Sequence, residues 1–85
     1  MNGNYYNNGF VDNSDNTIID VLKRNIGKKV RLYLNIPNIE NNSFDGIIES
    51  VGNDYIIISN PTNGEWQLFL MIYLGYITFE ENIKY

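Results

Sequence analysis

Cysteine and histidine are both missing from the 85 residues. Their absence removes a disulfide framework, a Ser–His or Cys–His nucleophilic pair and the usual ligands of a zinc site. No apolar run approaches the ~20 residues of a membrane span. The opening "MNGNYYNNGF" has neither the basic nor the apolar region of a secretory signal, so the sequence reads as a protein made and kept inside the producing cell. Positive charge is also in short supply. Six Lys and Arg against ten Asp and Glu leave a net charge of −4 and a pI near 4.5, a balance that argues against wholesale nucleic-acid binding. What remains is a chain long enough for one domain, which buries only about 60% of its unfolded surface. With no disulfide or metal to support it, association with a partner or with copies of itself is the expected reinforcement.

Residues 1–13, "MNGNYYNNGFVDN", are rich in Asn and Gly without an apolar period, and are expected to form a disordered tail ahead of a single domain at 14–85. "SDNTIIDVLKRNIGKK" reads as one helix of about three turns. Thr17 and Asp20 open it as a capping box, Ile18, Ile19, Leu22 and Ile26 share a face, and Asn25 and Gly27 stop it. The period then changes to two. In "KKVRLYLNI", Val30, Leu32, Leu34 and Ile36 alternate with polar residues, which is a half-buried strand.

"SFDGIIESV" is a second strand, bent or bulged at Gly46. Gly52-Asn53-Asp54 turns it into "YIIIS", whose unbroken isoleucines suit a strand covered on both faces. "NPTNG" closes another hairpin, "EWQLFLMI" is apolar on both faces, and "YITFE" forms a fifth strand after a tight turn. The fold class is therefore mainly β: a short N-terminal helix followed by a strongly bent five-stranded antiparallel sheet or a small SH3-like/Sm-like barrel.

Catalytic candidates are few. Asp45 and Glu49 lie four apart on one strand, and surface charges are the ordinary state of such residues. Gly46, Gly52, Gly64 and Gly75 serve bends and turns rather than a phosphate loop. Neither a cofactor nor a metal is expected. Two other features point to binding. Lys23, Arg24, Lys28, Lys29 and Arg31 gather five of the six cations into nine positions, either as a local anion-binding patch or as a solvated helix end and strand face. The strands around Trp66, Phe69 and Met71, with Tyr73 and Tyr76 nearby, carry more apolar surface than a short helix covers, as an interaction surface does. The helix-plus-five-strand order and the basic cluster also fit an Sm-like oligomeric RNA-binding protein, against which the acidic balance counts.

From Phe44 to the end of the chain the sequence resembles the spore coat protein GerQ family of endospore-forming bacteria. The resemblance is carried by Phe44, Gly46 to Glu49, Gly52, Asp54, Ile56 to Ser59, Pro61, Gly64, Met71 to Leu74 and Tyr76 to Glu80, and extends more weakly back through the helix. It implies a non-enzymatic protein of the spore coat, synthesised in the mother-cell cytoplasm. It further implies that the protein helps to place a cortex-lytic cell-wall hydrolase of the CwlJ type among other coat proteins, and so supports germination. The family is also associated with transglutaminase cross-linking through lysines ahead of the domain. No lysine precedes Lys23 in this sequence, whose tail carries Tyr5 and Tyr6 as candidates for oxidative coupling instead.

Overall fold

In the computed structural model, residues 17–37, 40 and 42–85 are described; the expected tail at 1–13 lies outside them. Helix α1 (Ile18–Lys23) is followed by strands β1 (Lys29–Leu34), β2 (Ser43–Val51), β3 (Tyr55–Ser59) and β4 (Trp66–Leu70). A 3₁₀ turn, Met71–Tyr73, leads into β5 (Leu74–Phe79). The strands form one antiparallel sheet in the order β4-β3-β2-β1-β5. Among the described residues it does not close: β4 and β5 are its two edges.

The helix is six residues long, half of the expected span. Thr17 caps it, with Oγ1 accepting from the Asp20 N–H at 3.2 Å while its hydroxyl donates to the Asp20 carboxylate at 2.8 Å. Asp is too short to reach back to the cap N–H as Glu does in a full capping box. A helix this short is unstable by itself and is held by packing. Leu22 is the residue it buries, with Ile19 partly covered, whereas Ile18 and Ile26 of the expected apolar face are 55% and 48% exposed.

One face of the sheet makes the core. Val30 and Leu32 of β1, Ile48 and Val51 of β2 and Ile56 and Ile58 of β3 are buried together with Leu22. Phe44, Phe69, Met71, Leu74, Ile77 and Phe79 pack around them, the rings of Phe44 and Phe69 lying 5.0 Å apart. The isoleucine run therefore splits: Ile56 and Ile58 point inward, while Ile57 is half-buried on the outer face, which no helix covers among the described residues.

The irregularity in β2 falls between Ile48 and Ser50 rather than at Gly46. Gly46 has a different task. A Cβ there would stand 2.8 Å from the Ser59 carbonyl oxygen and 2.9 Å from Ile58 Cδ1, so the two strands approach only because that atom is missing.

Asn25, read from the sequence as a helix stop, is fully buried and does more. Its Nδ2 donates to the carbonyl oxygens of Val21 (2.7 Å) and Lys84 (2.8 Å), and its Oδ1 accepts from the Lys84 N–H at 3.0 Å. One amide thus ties the helix end to the last residues of the chain, fifty-nine positions on. Removing it costs part-buried backbone groups their side-chain partner, a net loss of about 0.5–1.5 kcal/mol for each hydrogen bond. Asn25→Ala is expected to lower the melting temperature by roughly 4–8 °C per kcal/mol lost. Hydrogen exchange at the Lys84 amide, read by mass spectrometry or NMR, should accelerate with it.

Candidate functional site

On the outer face, register sets neighbours. Ser59 lies opposite Trp66, Ile57 opposite Leu68 and Tyr55 opposite Leu70, and Ile47 opposite Ser59. Trp66, Leu68 and Leu70 are 67%, 57% and 47% exposed, and Ile72 in the following turn 82%. The β3–β4 half of this face is thus an apolar ridge. Proteins seldom leave such side chains contiguous in water without a use for them. The β1–β5 half is polar and aromatic, with Tyr33 stacked on Tyr76 at 4.3 Å and 10° between ring planes.

The sequence-predicted surface residues divide between these regions. Trp66, Tyr73 and Tyr76 are exposed. Phe69 and Met71 turn the other way and pack on the core, because alternation along β4 sets Phe69 opposite the buried Ile56. The strand stops at Leu70, so Tyr73 leaves the sheet in the 3₁₀ turn. Leu68 and Leu70, which the sequence reading left out of the candidate surface, form its centre. The signal for them was present in their alternation with Phe69; what was missing was the knowledge that none of the described elements covers their side.

The basic cluster does not form one open patch. Lys28 Nζ donates to the Asn82 carbonyl at 2.6 Å, and Lys29 lies 4.0 Å from the Glu80 carboxylate. Arg31 grips Asp45 through Nε (2.6 Å) and Nη2 (3.1 Å). Lys23 is exposed in the last helical turn, and Arg24 is the C-cap, its N–H donating to the Asp20 carbonyl at 3.1 Å. The Arg31 hydrogen bond holds the Asp45 carboxyl below its ordinary range, and Asp45 in turn raises the Arg31 guanidinium. Because the folded pKa of Asp45 is the lower one, this pair supports the fold above the usual carboxylate value of about 4 and ceases to as pH falls through the folded value. Both side chains are about half exposed (51% and 57%), so solvent screening keeps the contribution small.

Asp45 and Glu49 are not joined to each other: Glu49 accepts from the Ser59 hydroxyl at 2.5 Å, across to β3. Among the described residues no cluster of three or more carboxylates is placed to hold a metal ion. No helix among them is long and apolar enough to cross a membrane. Among the described residues a groove runs between the Arg31–Asp45 pair and Thr78. What the molecule offers is a face.

Residues 11–85 match the family described as Spore coat protein (Spore_GerQ). The chain is also 40% identical over 80 residues to a protein named Spore coat protein GerQ from Bacillus subtilis (strain 168), an alignment covering 91% of this chain and 44% of that protein. The chain accordingly spans less than half the length of the curated relative it matches. A family match over most of the chain and this degree of identity agree: the chain belongs to the spore coat protein GerQ family.

Proposed function

We propose that this protein is a non-enzymatic coat component, made in the mother cell, that docks a cortex-lytic hydrolase of the CwlJ type in the coat and thereby supports germination. The observation that carries the docking reading is the ridge of Trp66, Leu68 and Leu70 on a sheet face that no described element covers, continued by Ile72. An exposed tryptophan at one end of a row of aliphatic side chains is the kind of residue on which binding hot spots are built. The absence of His and Cys from the sequence and the separate partners of Asp45 and Glu49 support a binding role over a catalytic one. The family's association with transglutaminase and with other coat proteins belongs to the same reading.

The test is to follow a fluorescent hydrolase fusion in spores of a strain lacking this gene, complemented with the wild-type chain or with Trp66→Ser. Hydrolase signal should be lost from the coat in the deletion strain and return with the wild type. Trp66→Ser should weaken capture of the hydrolase by ~30-fold, the effect of losing a hot-spot aromatic worth about 2 kcal/mol. Unchanged hydrolase placement in the deletion strain would end this account.

A further inference from the structure

We propose that two copies of this chain join through their β4 edges, antiparallel and about a two-fold axis at Leu68, into one continuous ten-stranded sheet. The argument starts from where the backbone groups of β4 point. The Met71 N–H donates to the Asp54 carbonyl and the Asn60 N–H to the Glu65 carbonyl. In an antiparallel ladder the bonded pairs recur every second residue, so residues 65, 67, 69 and 71 turn their N–H and C=O toward β3. Trp66, Leu68 and Leu70 consequently turn theirs toward the free edge, where no described strand lies beyond β4.

These three residues are also the ones whose side chains form the exposed ridge. That coincidence selects the partner. In an antiparallel pair, directly opposed residues place their side chains on the same face. A second β4, centred on Leu68, sets Trp66 opposite the partner's Leu70, Leu68 opposite the partner's Leu68 and Leu70 opposite the partner's Trp66. The central Leu68 pair exchanges two N–H···O bonds, and each flanking pair adds the one bond left to it once the Leu70 carbonyl is taken up by the 3₁₀ turn. The outer faces of both copies run on without a break.

The other edge does not offer this fit. Leu34 N–H donates to the Asn42 carbonyl, so by the same alternation Leu34 and Leu32 turn toward β2 and Tyr33 and Arg31 toward β5, where Tyr76 and Thr78 lie opposite them. Ile77 and Phe79 are left with edge-directed groups. Ile77 and Phe79 face the core, so antiparallel pairing of β4 with a second copy's β5 would join the outer face of one copy to the core face of the next. The end of the chain, Glu81 to Tyr85, also lies beside this edge, lining a groove with Ile77 and Phe79. Edge strands are usually protected by charge, proline or a bulge, yet "WQLFL" contains no charged residue and no proline, and its register with β3 is regular. A self-complementary edge of this kind closes at two copies. This assembly does not depend on the hydrolase-docking role.

Sedimentation equilibrium and light scattering on the full chain test the assembly, with its single tryptophan as a built-in probe. The expected mass is twice 9.9 kDa, and Trp66 emission should shift to the red on dilution as the pair separates. Leu68→Lys brings two like charges together at the axis and should weaken association about tenfold or more, with the circular dichroism of the fold retained. Thr78→Lys, on β5, should leave the mass unchanged. A wild-type monomer up to millimolar concentration, with Trp66 emission insensitive to dilution, would overturn the proposal. So would a ring or filament larger than two, or loss of association with Thr78→Lys but not with Leu68→Lys.

Discussion

Ile58→Ala is expected to cost about 2–5 kcal/mol of folding stability, the range for truncating a buried aliphatic side chain. Ile58 has no exposed surface and sits in the core with Leu32, Ile48 and Ile56. The loss combines the transfer free energy of the removed carbons with the cavity they leave, since β2 and β3 hold the surrounding backbone in place. Domains have only about 5–15 kcal/mol in hand, and a small one without disulfide or metal lies toward the low end. At the upper part of the range the variant would be largely unfolded at growth temperature. Chemical denaturation followed by tryptophan emission and circular dichroism measures the effect. A loss under ~1 kcal/mol would show that the core is not closed around this residue.

Gly46→Ala should be nearly as damaging, although it adds one carbon and removes nothing. The new Cβ would stand 2.8 Å from the Ser59 carbonyl oxygen, 2.9 Å from Ile58 Cδ1 and 3.1 Å from Ile58 Cβ. A side chain can rotate away; a backbone oxygen in a paired strand cannot without moving the ladder. Overpacking of this kind costs about 1–3 kcal/mol, or a fall in melting temperature of roughly 4–8 °C for each kcal/mol. Combining the two substitutions separates the contributions. Ile58→Ala removes the Cδ1 contact but leaves Ser59, so the double variant should be more stable than the sum of the single losses predicts, though less stable than Ile58→Ala alone. Strict additivity would place the whole clash on the backbone.

Most of the strand plan was legible beforehand because the turn chemistry was explicit. β2 and β3 have the expected limits, 43–51 and 55–59, fixed by the Gly52-Asn53-Asp54 turn. The "NPTNG" hairpin closes as its residues suggest: the Asn60 side chain accepts from the Thr62 N–H at 2.8 Å, and Gly64 takes φ +75°. The helix was read too long because Ile18 and Ile26 supply apolar spacing that packing does not use. After Lys23 the backbone already turns toward the sheet, where the Gly27 N–H bonds the Ile48 carbonyl at 2.8 Å. The basic cluster looked like a patch in one dimension because its partners, Asp45, Glu80 and the Asn82 carbonyl, come from distant parts of the chain. Phe69 and Met71 were grouped with Trp66 since a strand apolar on both sides gives no sign of which side is inward. The long reach of Asn25 to Lys84 had no local signature at all.

Three consecutive isoleucines in β3 have one more consequence. Where hydrophobic and polar residues alternate, sliding a strand by one position puts the wrong chemistry inside and is forbidden. Here a slip would fill one of the two interior places with Ile57 and the other with Tyr55 or Ser59, so the hydrophobic pattern resists it at one position instead of two. The frame is held also by small mechanical stops: the short turn at Gly52, the Glu49–Ser59 hydrogen bond and the bare backbone of Gly46 against Ser59. Weakening these latches gives the chain a second, misaligned way of being folded, reached by translation of one strand rather than by collapse of the whole.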